Sequence, residues 1–190
     1  MQQSAAIPNN IVLIGFMGCG KSTIARELRR LLGYPLVDMD AIIEERAGKP
    51  ITRIFAEDGE ASFRDMESRL LEELAGTASG GQIIATGGGV VERPANRHHL
   101  RQLGYVVWLC APPTVILKRT RSSHERPLLN ADDPAERITT LLAAREPWYR
   151  ESAHLAVDTT GLNSHEIATG ILESARYFFA DPAHARCMEP

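Results

Sequence analysis

Cysteine is scarce in this 190-residue chain. Cys19, Cys110 and Cys187 are far apart and odd in number, which excludes a disulfide framework and any C-x-x-C metal site. That usage suits a reducing compartment. A basic surplus is missing too, and a formal charge of −3 argues against bulk nucleic-acid binding. No apolar run approaches the roughly 20 residues needed to cross a bilayer, so no membrane partner is expected. Residues 1–10 carry neither an apolar signal core nor an Arg-rich transit pattern, and are expected to form a loose arm of a cytoplasmic protein. His98 and His99 are adjacent and do not converge on a helix, so no zinc site is read from them. Repeats, low-complexity tracts and internal linkers are also lacking. What is left is one domain, long enough for a full hydrophobic core.

The strongest positive signal lies in residues 11–23. Ile11, Val12, Leu13 and Ile14 form a branched apolar run that predicts a short buried strand. A loop with Gly15, Gly18 and Gly20 follows, and Lys21-Ser22-Thr23 opens an amphipathic helix. This is G-x-x-x-x-G-K-[ST], a P-loop, in the strand–loop–helix context that such a motif requires. Its backbone N–H groups, from Gly18 through Cys19 and Gly20 to Thr23, can cradle phosphate at a helix N-terminus. Lys21 can reach the outer phosphates of a nucleotide, and the Ser22 hydroxyl suits Mg²⁺.

Downstream, helical patterns alternate with short strands. Strands are expected at residues 35–38, 82–86, 105–110 and 154–159. Helices are expected at 22–32, 41–47, 51–57, 59–74, 94–103, 113–120, 134–148 and 164–179. In the helix over 59–74, Phe63, Met66, Leu70, Leu71 and Leu74 make the predicted buried stripe. The polar stretch 121–133, set between two helices, reads as a mobile lid. Residues 180–190 read as a frayed tail. Alternation of this kind predicts a parallel α/β sheet, with ligands at the C-terminal ends of its strands.

The residues after each strand are therefore the ones to inspect. Asp38-Met39-Asp40 closes the second strand, and Asp38 is the best available carboxylate for a metal site. The competing role for Asp38 is a turn or helix cap, with Asp40 the better cap of the two. Asp40 could also accept the hydroxyl hydrogen bond of a bound alcohol, and perhaps its proton. Gly87-Gly88-Gly89 ends the third strand, where backbone can approach a ligand without side chains intervening. Arg64 has Glu60 four residues earlier, so a surface ion pair competes with a role in a site. Arg145 has Leu141 at that spacing and no such partner. Arg119, Arg121 and Arg126 flank or occupy the lid. Arg126, followed by Pro127-Leu128-Leu129, is the best lid candidate to neutralise a transferring phosphoryl group, and Arg121 reads as a solvated charge. Arginines suit a carboxylate, and an aspartate suits alcohols. A small hydroxylated acid is the expected phosphoryl acceptor.

Gly15-Phe16-Met17-Gly18-Cys19-Gly20-Lys21-Ser22, Asp38-Met39-Asp40, Phe63-Arg64 and Ala85-Thr86-Gly87-Gly88-Gly89 come first in a set of motifs. Arg126-Pro127-Leu128-Leu129 and Arg145-x-Pro147-x-Tyr149 complete it. In order and spacing the set resembles the shikimate kinases, over about residues 10–178. The resemblance implies a three-layer α/β/α fold of the nucleoside monophosphate kinase type, with a five-stranded parallel sheet and a mobile lid. It implies ATP- and Mg²⁺-dependent phosphorylation of the 3-hydroxyl of shikimate, toward chorismate and the aromatic amino acids, by a monomer. Asp40, Arg64, Gly87, Gly88, Gly89 and Arg145 would then contact shikimate, the two arginines on its carboxylate. Asp38 would join Ser22 at Mg²⁺, Lys21 and Arg126 would stabilise the moving phosphoryl group, and Arg119 would lie by the adenine. Met39 stands where a small polar residue is expected. The stretch after Asp158 lacks the basic residues that some members place near adenine. Kinases for gluconate or a nucleoside monophosphate are the near alternatives, and a non-catalytic nucleotide-binding module is the distant one.

Overall fold

The computed structural model describes residues 10–77, 80–121 and 133–181. The apolar run at the start of the P-loop is strand β1 (Asn10–Ile14), buried at every position. It lies in the middle of a five-stranded parallel sheet with β3 (Gln82–Ala85) on one side and β4 (Tyr105–Cys110) on the other. β2 (Leu36–Asp38) pairs outside β3, and β5 (Leu155–Asp158) pairs outside β4. A strand covered on both faces reads as a continuous apolar run, which is why Ile11 to Ile14 show no alternation, while the buried Asn10 side chain donates to the Leu103 carbonyl and accepts from the Gln82 amide.

Helices fill the connections. On one face α1 (Lys21–Leu32) and α8 (Ser164–Ala180) pack over the sheet, with Ile24, Leu28, Ile167 and Ile171 meeting Ile11, Leu13 and Val107. On the other face are α2 (Met39–Ala47), α3 (Ile51–Glu57), α4 (Gly59–Thr77), α5 (Pro94–Leu103) and part of α7 (Pro134–Ser152). Their Met39, Ile54, Leu71, Leu100 and Tyr149 meet Val12, Ile14 and Val106. α6 (Pro113–Thr120) packs with α7 around Phe16, Ile116 and Ile138. The result is a three-layer α/β/α fold, as expected.

Three local readings change. The helix predicted to end at residue 148 runs on to Ser152, through Pro147. Proline forgoes one backbone hydrogen bond there, and the extra turn buries Tyr149 and Ser152 in return. The second helix begins at Met39, and its N-cap is Asp38, not Asp40. Asp38 Oδ1 accepts from the Asp40 and Ala41 amides at 3.1 and 3.4 Å. In α4 the buried stripe includes Arg64 and Glu67, whereas Met66 and Leu74 are only partly covered. Of the stretch 121–133 expected to form a lid, residues 122–132, with Arg126 and the Pro127-Leu128-Leu129 that follows it, lie outside the described residues. So do residues 1–9, the tail from 182 and Cys187.

Candidate active site

At the C-terminal ends of β1, β2 and β3 the structure has a cleft of about 1080 Å³. One end is the P-loop. Gly20 caps α1 in the left-handed region with no side-chain cap, so the first amides of the helix are not taken by a neighbouring carboxylate or hydroxyl. Lys21 Nζ donates to the Gly15 and Phe16 carbonyls at 2.7 and 3.1 Å, which holds the ammonium at the mouth of the loop. Gly18, Ser22 and Thr23 line the cleft, while the Cys19 side chain sinks into the core beneath it. Arg119 comes from α6 to the outer lip. It donates to the Gly18 carbonyl and to both the hydroxyl and carbonyl oxygens of Thr159. Asp38 lines the wall between loop and sheet.

The other end is built of charge. Arg64 is 7% exposed, and its three nitrogens face three carboxylates: Glu60 at 2.9 Å, Glu67 at 2.9 Å and Glu92 at 3.4 Å. The Glu60 pair weighed from the sequence is therefore real, and it sits on a buried guanidinium. Arg145, 2% exposed, meets Glu92 at 2.5 Å and lies over the Phe16 ring. Its second terminal nitrogen is buried with no hydrogen-bond partner among the described residues, as are Asp40 Oδ1 and Glu67 Oε1. Buried polar atoms are rarely left so, and convergent ones mark a place where a ligand completes the set.

The glycine triplet explains how these groups fit. A Cβ on Gly87 would stand 2.4 Å from Glu67 Oε1 and 3.0 Å from Asp40 Oδ1. One on Gly89 would stand 2.3 Å from the Arg64 guanidinium carbon. The side chains missing from the triplet are thus replaced by Arg64, Glu67 and Asp40 themselves, not only by space for a ligand. Thr86 ties the triplet to β1 through Leu13, and the Tyr149 hydroxyl donates to the Gly88 carbonyl. Tyr149 and Arg145 are one helical turn apart on α7, so one helix face delivers both to the triplet.

Burial raises the Asp40 carboxyl above its usual range, with Lys21 opposing and Asp38 and Glu44 adding to the effect. Arg64 is held charged by Glu67 and Glu92 although burial works against it. Burial brings Glu67 from 4.5 to about 7, against the pull of Arg64. Across that window the native state keeps a proton that the unfolded chain has released, so stability falls as pH rises. This contribution is complete below about 4.5 and lost above about 7. Glu67→Gln imitates the protonated form. The melting temperature of the parent minus that of the variant should therefore decline from about pH 5 to about pH 8. A constant difference would mean that Glu67 is ionised throughout.

The cleft thus joins the N-terminus of the P-loop helix to a pair of buried guanidiniums. A family model for shikimate kinase matches residues 17–176. The chain belongs to the shikimate kinase family. It is 48% identical over 167 residues to the shikimate kinase of Halorhodospira halophila, an alignment covering 88% of this chain and 93% of that one. It is 43% identical to the shikimate kinase of Geobacter sulfurreducens, covering 91% and 96%. The shikimate kinase from Acinetobacter baumannii, solved in complex with shikimate, superposes with a TM-score of 0.84 at 39% identity, covering 90% of this chain and 93% of that one. A gluconokinase from Sinorhizobium meliloti shares the fold alone, at 21% identity and a TM-score of 0.55.

Of the site residues expected from the sequence that lie among the described residues, all but Cys19 line this family member's cleft. Glu67, Glu92 and Tyr149 are not predicted from the sequence. Glu67 stands three residues after Arg64 between apolar positions of α4, where a carboxylate carries no site signal. Tyr149 lies within the Arg145-x-Pro147-x-Tyr149 motif, which gives it no role of its own. Glu92 had no signal, since its contacts lie 28 and 53 residues away in sequence.

Proposed function

We propose that this chain transfers the γ-phosphoryl group of ATP to the 3-hydroxyl of shikimate, as a phosphotransferase on the route to chorismate and the aromatic amino acids. The observation that carries the reading is the pairing of two buried guanidiniums, Arg64 and Arg145, at the far end of a cleft that begins at a P-loop. Guanidinium binds carboxylate through two parallel hydrogen bonds. A carboxylate anchored there would leave the ring hydroxyls near Asp40, between the arginines and the phosphates.

Roles follow from placement. The backbone of residues 18–23 would hold the phosphates. Lys21, with Arg126 from the lid, would stabilise the charge on the moving group. Arg119 would lie on the adenine side. Gly87, Gly88 and Gly89 would let the ring approach the backbone. Asp40 would accept the hydroxyl hydrogen bond, and its burial suits a group that takes up a proton. Hard oxygen donors for Mg²⁺ are at hand in Ser22 and in the Asp38 oxygen that the helix cap does not use. No group of three His, Cys, Asp or Glu placed to hold a metal ion occurs among the described residues, so the ion would take its other ligands from phosphate and water. When bound, Mg²⁺ supplies charge neutralisation at the phosphates.

The same reading takes residues 11–179 as a single domain acting as a monomer, because one chain supplies both ends of the cleft. A reducing cytoplasm suits the free thiols of Cys19 and Cys110.

The test is ADP release from Mg·ATP with shikimate, with gluconate, with AMP and with no acceptor, the product being weighed by mass spectrometry. Turnover that depends on shikimate and yields its monophosphate is the expected result. Turnover with gluconate or AMP alone would overturn the acceptor assignment.

A further inference from the structure

The short 3₁₀ turn after the glycine triplet, Val90–Glu92, brings a carboxylate onto the two arginines. Glu92 directs Oε1 to Arg145 at 2.5 Å and Oε2 to Arg64 at 3.4 Å. One carboxylate thus spans both guanidiniums, an oxygen to each, in the arrangement that a ligand's carboxylate between them would adopt. The backbone beneath it is well tied down. Glu92 donates its amide to the Gly89 carbonyl, and Asn96 and Arg97 hold the Val90 and Val91 carbonyls. Val90 and Val91 are anchored in the core.

Glu92 also differs from the other acids of the cluster. Glu67 is wholly buried and cannot leave without moving α4. Glu60 bonds Arg64 alone, from the exposed first turn of that helix. The Glu92 side chain is 28% exposed, so its carboxylate can turn to water while the backbone stays fixed. The carboxylates of Glu60 and Glu92, with Glu67 adding its charge as it ionises, already face the two guanidiniums of Arg64 and Arg145. A further carboxylate entering among them meets repulsion unless one withdraws.

We propose that Glu92 is an internal competitor for the acceptor's carboxylate and so a specificity-determining residue of this kinase. Before the acceptor arrives it holds Arg64 and Arg145 in register and gives one terminal nitrogen of the buried Arg145 its partner. The incoming carboxylate takes over both arginines, and Glu92 turns outward. Weakly binding anions cannot displace it, whereas an acceptor that also engages Asp40 can. The idea rests on the reading that these arginines bind the acceptor's carboxylate.

The experiment is steady-state kinetics of Glu92→Gln, which keeps the size of the side chain and removes its charge. The expected result is a KM for shikimate lowered roughly two- to fivefold, the range of a partly exposed ion pair. kcat should change less than KM, and inhibition by added acetate should strengthen in parallel. An unchanged or raised KM overturns the proposal, a raised one meaning that Glu92 merely supports the arginines. Arg145→Lys separates the two layers of inference. If it raises KM while Glu92→Gln does not lower it, competition is wrong and the carboxylate reading stands. If neither variant moves KM, both are wrong. Should Glu92→Gln fail to fold, Glu92→Asp draws the charge back by one methylene and should lower KM in the same direction, by less. An unchanged or raised KM in that variant also overturns the idea.

Discussion

Replacing Asp40 by Asn should cut turnover by about 10²–10⁴-fold, the range expected for loss of a positioned proton acceptor. The folded protein should be at least as stable as its parent. Asp40 Oδ1 is buried with no hydrogen-bond partner among the described residues, and burial raises its pKa. A carboxylate in such a place is a cost to the fold, and a neutral amide of the same shape relieves it. Its tolerance here makes sense if the lone oxygen serves a bound hydroxyl. Two measurements decide the matter: kcat at saturating ATP and acceptor, and the melting temperature without ligands. A fall in kcat with the melting temperature held or raised assigns Asp40 to the reaction. Near-normal turnover would remove it from the chemistry. A fall in both would mean that Asp40 supports the fold, in the manner of its neighbour Asp38, whose cap on α2 is visible.

The second large effect is expected from one methyl group. Gly89→Ala places a Cβ 2.3–2.4 Å from the guanidinium carbon and both terminal nitrogens of Arg64. An unpinned arginine head could simply move away. This one is buried and engaged by Glu60, Glu67 and Glu92, so it must give up some of these partners to escape. The acceptor should then lose a charge-assisted contact of about 1.5–3 kcal/mol, or roughly a 10- to 100-fold fall in kcat/KM. ATP affinity should change little, because the P-loop lies at the other end of the cleft. The overpacking itself should lower stability by about 1–3 kcal/mol. Acceptor kinetics and nucleotide binding of the variant check this together. An equal loss toward ATP and acceptor would indicate that the triplet supports the whole site rather than Arg64. Gly88→Ala is the milder comparison, since its nearest neighbour is the Met17 amide at 3.2 Å.

These two residues illustrate which parts of the protein were legible from its sequence. The P-loop was readable because its chemistry is local: three glycines, a lysine and a serine within eight residues, bounded by an apolar run and a helical pattern. Strand and helix positions were readable for the same reason, as apolar period and glycine stops act over one or two turns. The exceptions were local rules overruled by packing. α7 runs past the expected end at 148 to Ser152 because Tyr149 and Ser152 find buried places there. Asp38 rather than Asp40 became the cap because α2 begins at Met39, directly after β2 and two residues before the expected start at 41.

Residue chemistry alone proposed Asp38, Asp40 and Arg145 as site residues and left Arg64 between a surface pair and a site. Together with the family resemblance, that chemistry reads out the fold class, the P-loop and a hydroxylated acid as acceptor. How the charges around Arg64 and Arg145 are balanced follows from tertiary packing alone. Glu67 reaches Arg64 from the same helix, but its significance depends on burial against the glycine triplet. Glu92 reaches Arg64 and Arg145 from a turn far from either in sequence. Ion pairing of this kind is set by the approach of separate elements in a region of low dielectric, and no periodicity in the chain encodes it.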